Sequence, residues 1–327
     1  MRLPSCIAVS ALAFAVHAPG PAQAAQAEAE FPSRPMHLIV NFPPGGTTDI
    51  LARLIGPKLT EAFKQAVVID NRAGASGMIG ANAVAKASND GYTFGFIIST
   101  NAISPALFAD VPFDPVRDFA PISLLISVPN VISVHPSVPA TTLTELIALA
   151  KAQPGRLSFG TSGAGTSVHL TGELFKSLAK VDITHVPYKG GGPALPDLIA
   201  GQIPMGVQNT ATIMPYVRSG RIRMLGISSL ERSPALPDVP TIASAGFPGF
   251  EAKEWYGLVA PAGTPVPIVA RLNREIVRIM HLPDINARMI DQGSEIVADS
   301  PEHFGAFIKS ELAKWTKIVR ETGMRLE

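Results

Sequence analysis

Cysteine is all but missing: a single residue, Cys6, in a chain of 327. Without a second thiol the chain cannot close an internal disulfide or build a cysteine-based metal site. Charge is scarce as well, and it is balanced. Lys plus Arg number 27 against 26 for Asp plus Glu, a net of +1. No Lys/Arg run breaks that balance, which argues against nucleic acid as a partner. After the N-terminal segment no apolar run is long enough for a transmembrane helix. What is plentiful is apolar side chain, 46% of residues, and that excludes a disordered chain. The 28 glycines and 30 prolines fall as punctuation between apolar runs, without a period, so collagen-like and solenoid architectures are excluded too. The length allows about two domains.

Residues Met1 to Ala24 read as a secretory signal peptide. Arg2 is the short positive region, Ile7 to Val16 the apolar core, and Pro19-Gly20-Pro21 ends the helical tendency. Ala22-Gln23-Ala24 fits the small-x-small cleavage rule, with Ala25-Gln26-Ala27 as a second candidate. Cys6 precedes the apolar core, whereas a lipid-attachment cysteine should follow it. Cleavage removes Arg2 and leaves a mature chain without net charge. The expected product is soluble, cysteine-free and exported to the periplasm, which disfavours nucleotide-cofactor chemistry. No cofactor and no metal are expected.

From Met36 onward, short apolar runs alternate with helical patterns, the signature of an α/β architecture. Strands are expected at His37–Phe42, Val67–Ile69, Thr93–Ile98, Val131–Val134, Leu157–Gly160, Ile183–Val186, Met205–Val207, Met224–Ser228 and Tyr256–Ala260. Amphipathic helices are expected at Thr48–Leu59, Ser167–Ala179, Val269–Met280 and Pro301–Thr322. Two stretches look like crossings between lobes, Pro121–Pro136 and Ala245–Glu254. Cutting there predicts a first lobe of residues 31–126 with 253–327 and a second lobe of 127–252.

The strongest local signal is Val40-Asn41-Phe42-Pro43-Pro44-Gly45-Gly46-Thr47-Thr48-Asp49, a strand that turns into a helix. Thr47 or Thr48 could cap that helix, and its first N–H groups form an anion-seeking concavity. Leu157 to Val168 repeats the design, with Thr161 to Ser167 as a small hydroxyl-rich loop and Thr166 or Ser167 as the natural N-cap. Asn71 to Gly77 and Tyr188 to Pro193 are a third and a fourth such loop. Any one could be a plain strand-to-helix connection. Four, spread over both lobes, suggest a cleft lined by helix N-termini, where open α/β sheets bind ligands. Three or four such donors could hold a small anion at micromolar affinity, about −8 kcal/mol, without an arginine.

An enzymatic alternative stays open at this point. Gly160-Thr161-Ser162-Gly163-Ala164 approaches a nucleophile elbow, but Ala164 stands where the last glycine belongs. His169 follows Ser162 by seven residues, so a secreted serine hydrolase using Ser162 and His169 is the rival hypothesis, beside a periplasmic ligand sensor for a signalling partner. The remaining histidines are scattered without metal-ligand spacing, and no phosphate-binding P-loop or dinucleotide fingerprint is present.

Several motifs in order then carry a family resemblance. Phe42-Pro43-Pro44-Gly45-Gly46-x-x-Asp49 with Ala52-Arg53, Asn71-Arg72-x-Gly74-Ala75, Asp90-Gly91-Tyr92-Thr93 and Phe113-Asp114-Pro115 come first. Gly163-x-Gly165-Thr166-x-x-His169-Leu170, Val186-Pro187-Tyr188-Lys189-Gly190 and Trp255-Tyr256-Gly257 follow. Together they resemble the solute-binding receptors of tripartite tricarboxylate transporters, the Bug or TctC-like proteins, over essentially the whole mature chain. The resemblance implies a type II periplasmic binding-protein fold of two α/β lobes joined by crossing strands. It implies a receptor, not an enzyme, that captures a small carboxylated metabolite and delivers it, as a monomer, to the permease subunits of a membrane transporter. By position, the carboxylate loop maps to Phe42, Pro43, Gly45, Gly46, Thr47 and Asp49, with Ser76 beside it. The facing loop maps to Thr161, Ser162, Ala164, Thr166 and Ser167, with His169 nearby. Ser99, Asn101, Tyr188, Asn209 and Trp255 are the expected ligand-tuning positions. The chain departs from commoner family forms at Gln208-Asn209-Thr210.

Overall fold

A computed structural model describes residues 31–322 of the chain. The expected signal peptide, its cleavage site and Cys6 lie outside the described residues. The first half of the sheet is built as the apolar pattern asks. Strand β1 (Met36–Val40) pairs in parallel with β2 (Val67–Asn71) on one side and with β3 (Thr93–Ile98) on the other. Helix α1 (Thr47–Phe63) connects β1 to β2 and buries Leu51, Ile55, Leu59 and Phe63 along one face, the 3.6-residue period of an amphipathic helix. Helix α2 (Met78–Ala85) leads to β3, and α3 (Ser99–Leu107) leaves β3 without any intervening loop.

One strand ties the molecule together. β4 runs sixteen residues, Phe119–Val134. Through Pro129 it pairs antiparallel with β9 (Lys253–Pro261), and from Asn130 onward with β7 (Met205–Asn209). The sequence suggested only Val131–Val134 here, because Pro121 and Pro129 interrupt the apolar run. Proline has no N–H to give a ladder, and the structure tolerates both at irregular points. The register shifts next to Pro121, and Pro129 stands where the strand changes partners.

Beyond β7 the pattern repeats. β5 (Ser158–Thr161) lies parallel to β7 and to β6 (Thr184–Pro187), while β8 (Arg223–Ile227) pairs with the far end of β4. The sheet order is β2-β1-β3-β9-β4-β7-β5-β6. The helices here are α4 (Leu143–Ala152), α5 (Ser167–Ala179), α6 (Gly191–Ile199) and α7 (Thr210–Arg218). After β9 come α8 (Val266–Met280), α9 (Pro283–Asp291) and α10 (Pro301–Thr322). Among these, α3, α4, α7 and α9 carry patterns too short or too mixed to stand out in the sequence.

Separate apolar clusters fill the two ends of the sheet. One gathers Leu38, Ile55, Phe94, Leu258 and Leu272; another gathers Leu146, Phe159, Phe175, Met205 and Leu225. Each such side chain, fully buried, contributes roughly 1.5–3 kcal/mol. Among the described residues no helix is long and apolar enough to cross a membrane.

Candidate functional site

The strand order places five helix N-termini around one gap. α1 begins at Thr47, α3 at Ser99, α5 at Ser167, α6 at Gly191 and α7 at Thr210. Each follows the carboxyl end of a strand, so first-turn N–H groups and positive dipole ends face the same space. That space is a narrow cavity of about 30 Å³, nearly shut by the approach of its two walls. Phe42, Gly46, Thr47 and Thr48 line it from the first turn, and Ile98, Thr100, Glu254 and Tyr256 from β3, α3 and β9. Ser162, Gly191, Gln208, Asn209 and Thr212 close it from the opposite side. No lysine, arginine or histidine is among these residues, so a ligand anion here would be met by amides, hydroxyls and helix dipoles.

The two sides touch. The Thr47 hydroxyl donates to Asn209 Oδ1 at 2.8 Å and lies 3.0 Å from the Thr212 hydroxyl. Neither Thr47 nor Thr48 caps α1; Gly46 is the cap residue, without a side-chain bond. Because the helix begins one residue earlier than expected, the Thr47 hydroxyl is free to reach across the gap. Ser76 Oγ donates to the Ala164 carbonyl at 2.6 Å, and Asn209 Nδ2 donates to the Tyr256 hydroxyl at 2.7 Å. The Pro43-Pro44-Gly45 turn presses against Gly190–Gly192: a Cβ on Gly192 would stand 2.7 Å from the Pro44 carbonyl oxygen. Both turns require their glycines for this approach.

Three buried polar atoms lining the cavity have no partner in the protein: Thr48 Oγ1, Thr100 Oγ1 and Gln208 Nε2. Buried polar groups are nearly always paired, so these mark where a ligand's acceptor atoms would dock. Glu254 is the one ionisable carboxyl in the lining, 3% exposed. It accepts a hydrogen bond from Ser99 Oγ, and burial pushes its carboxyl up to about 7 against the pull of Ser99, Ser167 and the Thr100 N–H. Burial also raises the Tyr256 phenol well above its ordinary value.

The other expected site residues are placed around this cavity in supporting positions. Asp49 accepts from the Gly45 N–H, Asn71 Nδ2 and Arg53 Nε at 2.9–3.1 Å. Burial works against its charge, but these bonds hold its carboxyl below the usual range. It braces the turn rather than facing the cavity. Asn101 Oδ1 accepts from Asn41 Nδ2 and the Ile98 N–H, fixing the start of α3. Thr166 caps α5, accepting from the His169 N–H, and Thr161 Oγ1 meets His185 Nε2 at 2.7 Å. Ser167 Oγ accepts from Asn130 Nδ2 at 2.9 Å.

Three further placements differ from expectation. Trp255 is turned away from the cavity: its indole donates to Glu311 at 3.1 Å and packs edge-on against Phe304 and Phe307. Tyr188 donates to Asp197 at 2.6 Å beside the apolar cluster of α6 and α7, and burial with that bond pushes its phenol up to about 12. His169 stacks on His185 at 3.9 Å, and its Nδ1 accepts from the Gly165 N–H. That bond leaves the Nδ1 lone pair no capacity to take a proton from Ser162. Burial lowers both imidazoles to about 4.

Sequence reasoning read Thr48 as a cap and Gln208 only as a departure from the family pattern, and it did not single out Thr100, Thr212, Glu254 or Tyr256 as site residues. A signal for the last two was available. Side chains alternate across a strand, so in Glu254-Trp255-Tyr256 the outer two share a face that Trp255 cannot join.

Residues 51–324 match the model of the tripartite tricarboxylate transporter family receptor. A protein encoded in the tcbD-tcbE intergenic region of Pseudomonas sp. (strain P51) is 42% identical over 293 residues, covering 89% of this chain and 87% of the relative. Among solved structures, Rpa4515 of R. palustris, determined with adipate, is 38% identical with a TM-score of 0.87, covering 90% of this chain and all of its own. MatC of Rhodopseudomonas palustris, with bound malate, is 33% identical with a TM-score of 0.84, over 88% of this chain and all of its own.

Proposed function

The chain belongs to the tripartite tricarboxylate transporter receptor family, and from that premise we propose that it captures one small organic carboxylate between its two lobes. In this reading the lobes are residues 31–126 with 253–327 and residues 127–252. The mature protein is exported to the periplasm as a monomer and hands its ligand to the permease subunits of a membrane transporter.

The observation that carries this reading is the cavity itself: five converging helix N-termini, unpartnered Thr48, Thr100 and Gln208, and no cationic side chain in the lining. The adipate and malate held by the two Rhodopseudomonas proteins are the ligand chemistry that such a lining fits. Hydrogen bonds to a charged group are worth about 1.5–3 kcal/mol each. Four of them support micromolar capture once association costs are met. The lobe-to-lobe bonds of Thr47, Ser76 and Asn209 belong to a closed form, and a ligand that touches both lobes favours that form by its differential affinity.

A thermal-shift screen of mono-, di- and tricarboxylates on the mature protein tests the reading. A ligand bound only by the folded state raises the melting temperature. We expect one or a few small carboxylates to raise it by several degrees and to bind with micromolar or tighter affinity by calorimetry. A screen in which no carboxylate shifts the transition would overturn it.

A further inference from the structure

A carboxyl group is an odd thing to find in the wall of an anion site. Glu254 sits at the start of β9, under the first turns of α3 and α5, on the cavity side of the strand. No lysine, arginine or histidine lines the cavity with it. The strands paired to β9 bring no charge: opposite Glu254 stands Val128 of β4, and β3 contributes only Thr93–Ile98. α3 carries no ionisable residue. α5 carries His169, which is engaged with Gly165 and His185, and Lys176, which is paired with Glu173. From α10 come Glu311, another acid, and Lys314, which is paired with it, and from β9 itself the Tyr256 phenol. Lys253, the neighbour in sequence, is paired with Glu295. Among the described residues, the charged neighbours named here are therefore negative or paired elsewhere.

Its hydrogen-bond partners suit either protonation state. The Ser99 and Ser167 hydroxyls are directed at it, and a hydroxyl can donate to a carboxylate or, after rotating, accept from a carboxylic acid. Ser167 Oγ is anchored by the Asn130 amide, so its own proton stays free to turn either way.

A ligand carboxylate brought into this cavity would add a second negative charge next to an uncompensated one, in surroundings that screen poorly. Two acids forced together share a proton instead. We propose that Glu254 is a specificity-determining residue that, as a neutral acid, donates its carboxyl hydrogen to the ligand's carboxylate, so that capture of the anion takes up one proton. The proton comes from bulk solvent, forms the Glu254 O–H bond, and returns to solvent when the ligand leaves. In the closed form burial raises this carboxyl to about 7, so near neutrality the uptake costs little. The cavity then discriminates against ligands whose polar end can only donate, such as an ammonium or amide N–H, since a protonated Glu254 is a poor partner for them.

This inference rests on the carboxylate reading of the cleft, and the two can be told apart in one experiment. Adipate, malate and benzoate serve as probes in calorimetric titrations of the mature protein at pH 6, 7 and 8. At pH 8 each is run in phosphate and in Tris, whose ionisation heats differ. With a free-state value between the ordinary 4.5 and the closed form's value of about 7, linkage predicts that the Kd of a binding probe weakens about ten- to hundredfold from pH 6 to pH 8. At pH 8 the difference between buffers should report uptake of close to one proton. In E254Q the uptake should vanish and the Kd should become flat with pH. If E254Q fails to fold by thermal melting, the wild-type proton count decides alone. Binding without proton uptake, uptake that persists in folded E254Q, or proton release would each overturn the Glu254 proposal while leaving the receptor reading intact. No heat from any of the three probes would count against the carboxylate reading itself, and the proposal would fall with it.

Discussion

The cleft has two facing turns that look alike in sequence, small residues leading from a strand into a helix, yet they are braced in opposite ways. The Pro43–Thr48 turn is tied down by a charge. Ionised Asp49 gathers the Gly45 N–H, Asn71 and Arg53, and each of those bonds lowers its pKa. The Thr161–Ser167 turn is propped by neutral rings. His169 accepts from Gly165 and stacks on His185, which holds Thr161, and both rings stay uncharged because burial lowers them to about 4. The difference teaches that an anion site can be rigidified without placing a cation near the ligand. A carboxylate serves on one side because its charge is consumed by its own turn, and imidazoles serve on the other because they are kept from charging at all.

The largest effect should come from breaking the charged brace. Asp49→Ala leaves the Gly45 N–H, the Arg53 Nε and one N–H of Asn71 without the buried carboxylate that joins them, although Asn71 keeps its bond to the Phe42 carbonyl. The expected loss is about 2–4 kcal/mol of stability in urea unfolding, with ligand binding lost as well. Asp49→Asn, which keeps one acceptor, should lose less. If Asp49→Ala unfolded at the wild-type urea midpoint, the brace would be ornamental.

The neutral brace should fail first on acidification. For each histidine the folded value, about 4, lies below the ordinary 6.5, so between those limits the unfolded chain binds more protons. Stability from the pair is complete above pH 6.5 and is lost as the pH falls toward 4. Glu254 opposes this: its folded value, about 7, exceeds the ordinary 4.5, so acidification through that window favours the folded state. One group offsets two, and the net loss should be about 1–3 kcal/mol, read as a melting temperature several degrees lower at pH 4.5 than at pH 7.5. E254Q should steepen that decline and His185→Phe should flatten it. Asp49 does not enter, since its titration lies below this window. A wild-type melting temperature constant from pH 7.5 to 4.5, with both variants parallel to it, would remove the distinction between the two braces.

How much of this was legible in advance divides along physical lines. Periodicity gave α5 and α10 to the residue, because Leu170 and Phe175, or Phe304, Ile308 and Trp315, repeat at helical spacing over long stretches. It missed α3, which follows β3 with no punctuation and contains Pro105, and it cut β4 short at its prolines. The motif-bearing turns were found, since glycine and hydroxyl residues announce where a backbone must be exposed. Phe42, Gly46, Thr47, Ser162 and Asn209 do line the cavity. What the sequence could not show is which hydroxyls stay unpartnered. Thr48 and Thr166 look equivalent on paper, but Thr166 spends its oxygen on a cap and Thr48 does not. Partnering is a tertiary property. The resemblance pointed to Trp255, although strand alternation puts Glu254 with Tyr256 on the cavity side.

The comparison also concerns contact, because the two turns must approach for the cleft to shut. Gly192→Ala places a methyl group 2.7 Å from the Pro44 carbonyl in the closed form. Gly192 lies at the start of α6, and the backbone there accepts alanine. Stability should therefore hold or rise slightly, while affinity for a cleft-bound carboxylate falls about tenfold or more, near 1.4 kcal/mol. Calorimetry paired with thermal melting separates the two readouts. Unchanged affinity in a folded Gly192→Ala protein would mean that the turns need not meet.

The smallest effect tests a single bond between the two walls. Ser76 Oγ donates to the Ala164 carbonyl at 2.6 Å, from an exposed position next to the first turn to the middle of the second. In the open form both groups are free to bond to water, so Ser76→Ala should leave the melting temperature of the empty protein unchanged. Closure then loses one neutral hydrogen bond, whose net worth is about 0.5–1.5 kcal/mol. Ligand affinity should fall roughly three- to tenfold, and most of that change should appear as faster release, because the bond forms only after the walls have met. Stopped-flow measurement of association and dissociation distinguishes the cases. A slower association with unaltered release would place this contact before ligand capture, and the second turn would then be steering the ligand inward instead of holding it.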